Sequence, residues 1–199
     1  MMMRVLLGLG MVFAWVATAS AEGSIEAMSF NIRLGVAKDG GNHWKLRKDL
    51  VFGVLRDHKP DVVGMQEAWK FQVDEIQEAL PEYGLIGRSR QKEANVGEWC
   101  PVLYLKAKYE VLDSGTFWLS DSPEKEGSMN WGNKIPRICT WARLKDKKSG
   151  RSFFVYNTHF DHQSQPSREK SAVLCAKRIA GRKPAGDAAI FMGDLNAGE

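Results

Sequence analysis

The segment "SFFVYNTHFDH", residues 152–162, decides the fold of this chain, because an apolar run ends there in two histidines and an aspartate. Its aromatic and β-branched residues predict a buried strand, and a helix is predicted next, from about Ser167 to Gly181. Polar residues at a strand end can simply meet solvent. The carboxyl ends of strands are also where α/β proteins bind ligands, so the question is whether other strands supply partners for this cluster.

Segments on both sides of this strand alternate between strand and helix patterns. Strands are predicted from about Ile25 to Ile32 and over "DVVGMQE", residues 61–67, with a helix from Trp44 to Asp57 between them. That helix places Leu46, Leu50, Val54 and Leu55 at helical spacing. Further predictions are a helix from Phe71 to Leu80 and strands at 99–105, 109–120, 138–146 and 188–195. This alternation predicts an α/β (α+β) fold of mixed sheets with helices outside.

The composition and the absence of internal boundaries in the sequence indicate one globular domain. Of the 199 residues, 44% are hydrophobic and 26% are charged, which excludes disordered and collagen-like proteins. No repeat, low-complexity tract or linker divides the chain. The net charge of +4 is a weak indication of an anionic partner such as a phosphate-bearing substrate.

The N-terminal sequence has the pattern of an export signal. Arg4 precedes an apolar run from Val5 to about Val16, and Ala19-Ser20-Ala21 follows it. The run is too short to span a bilayer, so residues 1–21 are predicted to be a cleaved signal peptide and residues 22–199 the mature domain. A leader that stays in the membrane is the alternative. Cleavage would export the protein to the periplasm or the extracellular space, with no transmembrane segment left.

The three cysteines, Cys100, Cys139 and Cys175, lack the spacing of a metal site. They lie in apolar segments and are predicted to be buried thiols, with one disulfide possible after export.

Four predicted strands end in polar side chains that could form one cluster. These residues are Asn31, Glu67, His159, and the pair Asp194 and Asn196. Each has a structural alternative, since Asn31 could hold a turn, Glu67 could cap a helix and Asp194 could close a loop. If the strands lie side by side, however, their carboxyl ends would bring carboxylate, amide and imidazole groups together.

The motifs "SFNIR", "VVGMQE", "NTHFDH" and "GDLNAGE" together resemble the endonuclease/exonuclease/phosphatase superfamily, the DNase I-like metal-dependent phosphoesterases. The resemblance covers about residues 25–199 and depends on the order and strand context of the four motifs. It implies a four-layer sandwich in which two mixed β-sheets are flanked by helices. It also implies hydrolysis of a phosphodiester or phosphomonoester by in-line attack of water.

The resemblance assigns roles to the strand-end residues. Glu67 matches the carboxylate that binds the catalytic cation, and Asn31 matches the amide that supports this metal and the phosphate. Asp194 and Asn196 match the pair that orients the attacking water and binds the phosphate group. His159 resembles a histidine that donates to a phosphate oxygen or helps proton transfer. Hard oxygen ligands favour Mg²⁺ or Mn²⁺ as the cofactor.

Three further residues are predicted to support the site. Glu98 in "GEWC" resembles the carboxylate that orients the histidine, here His159. Arg137 in "NKIPRICTW" resembles the arginine that holds the scissile phosphate, although a solvated arginine is the alternative. Asp161, in "THFDH", is predicted to contact the substrate or to support a neighbouring residue, with a solvated loop as the alternative.

The substrate is left open by the sequence. Nucleic acid, phospholipid and sugar phosphate all fit the resemblance, although no dense stripe of lysine and arginine suggests a nucleic-acid groove. A different class of function is a secreted binding module that keeps the sandwich and a partial phosphate site without catalysis. The late "SDH" motif of the family is absent before Glu199, which predicts a domain that is incomplete at its C-terminus. The sequence does not indicate the oligomeric state.

Overall fold

The computed structural model describes residues 24–93 and 95–198. Its strands are β1 (Ala27–Asn31), β2 (Val62–Gln66), β3 (Ala68–Trp69), β4 (Tyr83–Ile86), β5 (Glu98–Trp99), β6 (Val102–Leu105), β7 (Tyr109–Trp118), β8 (Ile138–Asp146), β9 (Ser152–His159) and β10 (Ala188–Asp194). Its α-helices are α1 (Trp44–His58), α2 (Lys70–Ala79) and α3 (Gln165–Ala180), and a short 3₁₀ turn covers Gly40–Asn42.

The larger strands form two four-stranded sheets. The first sheet has the order β1-β2-β6-β4 and the second has the order β10-β9-β8-β7, while β3 and β5 form a separate two-stranded ladder. Both large sheets are mixed. In each, one parallel pair, β1 with β2 or β9 with β10, adjoins antiparallel strands. The mixed-sheet prediction is therefore confirmed.

Three apolar clusters show how the layers stack. One joins the first sheet to α1 and α2 through residues such as Phe52, Met65 and Ile76. A second fills the space between the sheets, where Val62 and Val102 meet Val155 and its neighbours. A third packs α3 against the outer face of the second sheet. The arrangement is helix, sheet, sheet, helix, which is the predicted four-layer sandwich.

A buried polar pair connects the two sheets, and we call Gln66 and Asn157 the inter-sheet link. The Gln66 amide nitrogen donates to the Asn157 amide oxygen at 2.7 Å, and the Asn157 nitrogen donates to the carbonyls of Met65 at 2.7 Å and Pro101 at 2.9 Å. Gly64 lies beside the link. A Cβ at that position would be 2.6 Å from the Asn157 amide oxygen, so glycine is needed where the sheets approach most closely.

Helix α1 is present as predicted, but of its four predicted apolar positions only Leu55 is buried. Leu46 and Leu50 are 70% and 72% exposed, whereas Trp44, Val51, Phe52 and Leu55 are buried. The periodicity of the leucines therefore predicted the helix correctly without identifying its packed face. The larger rings of Trp44 and Phe52 bury more apolar surface than the two leucines would, and they meet edge-to-face in the core.

Three short strands, the cysteines and the N-terminal leader complete the comparison with the sequence predictions. β4 and the β3–β5 ladder were not predicted, because β4 is short and the ladder has only two residues in each strand. The three cysteines are free and buried, as expected for core thiols. The predicted signal peptide, residues 1–21, lies outside the described residues. Within the described residues, no helix is long and apolar enough to cross a membrane.

Candidate active site

The parallel pairing of strands brings the predicted polar residues to one edge of the sandwich. Asn31 is in register with Gln66, directly before Glu67, and Asp194 is in register with His159. Because β1 lies against β10, the ends of all four strands meet. We call Asn31, Glu67, His159, Asp194 and Asn196 the strand-end site.

A single amide nitrogen joins the two carboxylates of the site. Asn31 Nδ2 donates to Glu67 Oε1 and to Asp194 Oδ2, each at 2.9 Å. The Asn31 oxygen accepts from the backbone N–H of Arg33 at 2.9 Å, which determines the orientation of the amide. The second oxygen of Glu67 accepts from the backbone N–H of Leu34 at 3.0 Å. Glu67 and Asp194 therefore flank one small space, as the sequence predicted.

The backbone is strained at this edge. Arg33, Glu67 and Asn196 have positive φ angles of 58°, 59° and 48°, a left-handed conformation that side chains other than glycine adopt at a cost of about 1–3 kcal/mol. Each lies just beyond the end of a strand of the site. Such strain persists where the surrounding structure holds the residue for another purpose, and here it turns the side chains at the strand ends.

His159 is a neutral imidazole in this environment. The residue is 6% exposed, and its Nε2 lies 3.7 Å from Asp194 Oδ2. Burial, reinforced by the positive charge of Arg137, lowers the pKa of His159 from 6.5 to about 4. Its Nδ1 is buried and has no hydrogen-bond partner among the described residues, so the ring can still accept or donate a hydrogen bond.

Asp194 is ionised, because neighbouring groups lower the pKa of its carboxyl. Burial alone would raise the pKa of its carboxyl, but hydrogen bonds from Asn31 and Asn196 and the charge of Arg137 lower the pKa overall. The Asn196 backbone N–H donates to Asp194 Oδ1 at 3.0 Å, while the Asn196 side chain donates to the Phe160 carbonyl at 2.9 Å. Asp194 is therefore a weak base, and its carboxylate is a hydrogen-bond acceptor suited to orienting water.

Arg137 is buried beside the site rather than solvated. It is 3% exposed; its Nε donates to Asp161 at 3.3 Å, and its Nη2 lies 2.8 Å from His162 Nδ1. Its Nη1 has no hydrogen-bond partner in the described part of the chain. A buried guanidinium with a free N–H is suited to an anionic oxygen of a ligand.

Of the two roles predicted for Asp161, its contacts agree with support of a neighbouring residue and not with substrate contact. Asp161 is 2% exposed, and its Oδ1 accepts from the backbone N–H groups of Gln163 at 3.0 Å and Ser164 at 2.7 Å. Its other oxygen holds Arg137. With both oxygens used inside the protein, Asp161 is placed to position Arg137 and to secure the start of α3.

The predicted pairing of Glu98 with His159 is not found. Both Glu98 oxygens accept from Arg90, at 2.8 Å and 2.9 Å, in a fork that satisfies the carboxylate. The reason is topological, because Glu98 belongs to β5 and lies opposite Trp69 in the β3–β5 ladder. That ladder follows Glu67, so Glu98 lies on the Glu67 side of the site. The Arg90–Glu98 pair was not foreseen, since neither residue ends a large strand.

The donor set fits a hard cation that keeps most of its waters. Glu67 Oε1 and the Asp194 carboxylate share one space, and no group of three or more histidine, cysteine, aspartate or glutamate side chains that could cage a metal occurs among the described residues. Mg²⁺ is usually bound by one or two carboxylates with water and substrate oxygens. The oxygen donors of Glu67 and Asp194 therefore fit a divalent cation of this hard type.

The fold and the site together describe a DNase I-like α/β sandwich with an oxygen-rich site at its strand ends. The model of the endonuclease/exonuclease/phosphatase family matches residues 28–198. The chain therefore belongs to the endonuclease/exonuclease/phosphatase family, and the resemblance of its four motifs is confirmed.

Two solved structures of bacterial proteins are similar over most of this chain. An endonuclease/exonuclease/phosphatase from Bacteroides vulgatus is 42% identical with a TM-score of 0.83, over 87% of this chain and 66% of that one. A mannosyl-6-phosphatase from Bacteroides thetaiotaomicron is 32% identical with a TM-score of 0.84, over 88% of this chain and 67% of that one.

A curated relative is more distant. An uncharacterised protein from Acanthamoeba polyphaga mimivirus is 26% identical over 160 residues, which are 77% of this chain and 59% of that protein. The chain therefore spans less than two thirds of the length of this relative.

Proposed function

We propose that the protein is an exported phosphoesterase that uses a divalent cation, Mg²⁺ or Mn²⁺, and hydrolyses a phosphate ester by in-line attack of water. The observation that carries the proposal is the placement of Glu67 and Asp194 at 2.9 Å from the same Asn31 nitrogen. Export is proposed from the leader pattern at residues 1–21, with residues 22–199 as the mature domain and the periplasm or extracellular space as its location.

Glu67, supported by Asn31, would hold the cation. A cation bound there would supply positive charge to a phosphoryl oxygen. The backbone N–H of Leu34 fixes the far oxygen of Glu67, so the near oxygen is kept in place for this role. Preorganised charge of this kind stabilises the transition state without reorganisation during the reaction.

The remaining residues bind phosphate and position water. Arg137 Nη1 would donate to a phosphoryl oxygen, and Asp161 holds the guanidinium in place for it. Neutral His159 would donate a hydrogen bond to phosphate or to the leaving oxygen. Asp194, whose lowered pKa makes it a poor base, would orient the attacking water rather than remove its proton at the start.

The relatives support phosphoester chemistry, since one is a mannosyl-6-phosphatase and another carries the family name of endonuclease, exonuclease or phosphatase. The free N–H of Arg137 and the ionised Asp194 support the same chemistry from the chain itself.

The proposal is tested with the full chain and a panel of phosphate esters. The panel contains p-nitrophenyl phosphate, plasmid DNA, RNA, phosphoinositides and sphingomyelin, each with Mg²⁺ and with EDTA. We expect Mg²⁺-dependent hydrolysis that falls by about 10²–10³-fold in Glu67→Ala and His159→Ala. Glu78→Ala, an exposed residue of α2, is the matched control and should match the wild type. Phosphate binding without hydrolysis of any ester would instead indicate the non-catalytic binding module.

A further inference from the structure

A pocket opens next to the strand-end site, and the proposed mechanism makes no use of it. Its volume is about 490 Å³, and we call it the loop pocket. It is lined by Phe30, Asn31, Ile32, Arg33, Asp39, Asn42, Arg47 and Val51. The size lies within the range of small-molecule sites. Asn31 belongs both to this lining and to the strand-end site, so the loop pocket adjoins the place where a ligand of Glu67 and Asp194 would lie.

The charged groups on the pocket wall are already paired. Arg33 Nε and Nη2 donate to the two oxygens of Asp39 at 2.9 Å and 3.0 Å. Arg47 donates to the backbone carbonyls of Asn42 and Arg33, both at 2.9 Å, and its guanidinium lies over the Trp44 ring at 5.3 Å. A polyanion requires free cationic side chains. This wall instead offers compensated charge, which disfavours a chain of phosphates.

The Arg33–Asp39 pair matches vicinal hydroxyl groups. Each Asp39 oxygen accepts one hydrogen bond from Arg33 and keeps another lone pair. Arg33 Nη1 is not used by Asp39 and lies 3.8 Å from Glu67 Oε2. A hydroxyl group both donates and accepts, so neighbouring hydroxyls could bond to Asp39 and to Arg33 at once. The charged partners make such bonds stronger than neutral ones.

The loop geometry holds the Arg33 end of this pair near Glu67. Arg33 has a φ of 58°, a conformation that a non-glycine residue adopts only when its surroundings enforce it. Gln72 and Arg47 both donate to the Arg33 carbonyl, at 3.0 Å and 2.9 Å. Among the apolar lining residues, Ile32 and Val51 are buried, whereas Phe30 is half-buried and can offer its ring to the C–H face of a sugar.

We propose that the loop pocket binds the polyol part of a phosphorylated sugar, with Asp39 and Arg33 contacting its hydroxyl groups, and that the preferred substrate is a sugar phosphomonoester. This inference rests on the proposed function, because it places the phosphate of the same substrate at the strand-end site. Asp39 is then a residue that determines specificity.

The kinetic experiment compares two phosphomonoesters on the full chain with Mg²⁺. Mannose 6-phosphate carries hydroxyl groups and p-nitrophenyl phosphate does not. Asp39→Asn should raise KM for mannose 6-phosphate about tenfold or more, while kcat/KM for p-nitrophenyl phosphate stays within about twofold. Asp49→Asn, an exposed residue of α1 outside the pocket lining, is the matched control and should leave both substrates unchanged.

A binding measurement decides the inference even if turnover is not seen. In EDTA, calorimetry should show mannose 6-phosphate binding about tenfold more tightly than inorganic phosphate, and Asp39→Asn should remove that difference. Equal binding of the two ligands, or a difference that survives Asp39→Asn, would overturn the sugar subsite. Preference for an oligonucleotide unaffected by Asp39→Asn would also overturn it. Hydrolysis of p-nitrophenyl phosphate in either case would leave the proposed function standing, whereas tight sugar-phosphate binding without any hydrolysis would contradict the function alone.

Discussion

The inter-sheet link and the strand-end site are neighbours along the chain, and both are built from polar side chains. Gln66 and Glu67 are consecutive, and Asn157 precedes His159 by two positions in β9. In the link, the Gln66 nitrogen has acceptors on Asn157, Gly64 and Ser29, and the Asn157 nitrogen has two carbonyl acceptors. Hydrogen bonds to the protein itself satisfy these groups.

The strand-end site differs because its groups are not all satisfied. His159 Nδ1 and Arg137 Nη1 are buried without a hydrogen-bond partner in the part of the chain that the structure describes, and Glu67 has a left-handed backbone. Polar groups satisfied within the protein stabilise it and specify how the sheets align. Buried groups that lack a hydrogen-bond partner cost stability, and they are available to bind a ligand. One or two positions along the chain therefore separate a stabilising role from a binding role.

The largest expected effect separates the adjacent residues Gln66 and Glu67. Glu67→Ala and Glu67→Gly should each lower phosphoester hydrolysis by about 10²–10³-fold. Glycine removes the strain of the left-handed backbone, so Glu67→Gly should be more stable than Glu67→Ala by about 1 kcal/mol. Urea unfolding and initial rates measure both.

The same pair of substitutions at Gln66 is the control for that comparison. Gln66 ends the regular strand β2, where glycine costs backbone entropy, so Gln66→Gly should be less stable than Gln66→Ala by about 1 kcal/mol. The same order of stability at both positions would contradict the distinction between the two regions.

Removal of the link should reduce stability strongly. Asn157→Ala leaves a cavity and takes away the acceptor of Gln66 and the donor to Met65, so we expect a loss of about 2–4 kcal/mol in the free energy of unfolding. Asn130→Ala breaks an exposed hydrogen bond to Asp121 and should cost less than about 1 kcal/mol. A loss at Asn157 no greater than at Asn130 would show that the link does not hold the sheets.

The pH dependence of stability tests the environment of His159. Its pKa is about 4 in the folded protein and 6.5 when unperturbed, so the unfolded chain binds more protons between these values. The contribution of neutral His159 is therefore complete above pH 6.5 and lost as the pH falls toward 4, by about 3 kcal/mol at most. Urea unfolding from pH 4.5 to 7.5 should show this slope in the wild type and a flatter one in His159→Gln. Identical slopes would mean that another group titrates.

The smallest effects come from two glycines in different surroundings. A Cβ at Gly64 would lie 2.6 Å from Asn157 and from Met192, so Gly64→Ala should destabilise the protein by about 1–3 kcal/mol. A Cβ at Gly53, within α1, would meet nothing within 4 Å. Gly53→Ala should therefore stabilise by about 0.5–1 kcal/mol. Thermal unfolding of both variants measures the difference, and a stabilising Gly64→Ala would show that the sheets are not tightly apposed there.

Sequence reasoning identified the members of the strand-end site because each follows an apolar strand in an ordered set of motifs. It was less informative where a side chain's role depends on its partners. Glu98 was expected to orient His159, and for Asp161 the sequence left substrate contact and support of a neighbour both open. The structure pairs the first with Arg90 and gives the second to Arg137 and the start of α3. Glycine in the "VVGMQE" strand was an available signal for the close approach at the link.

The sequence by itself determined the order of the longer strands and the three α-helices, the polar ends of four strands and the family. These depend on local periodicity and on motifs within short stretches of chain. The tertiary structure alone decided which face of α1 is buried, which arginine neutralises which carboxylate, and how Asn31 connects Glu67 with Asp194. These contacts join residues as far apart as 163 positions in the chain. Side-chain pairing depends on distance in space, which the pairing of strands creates and no local pattern encodes.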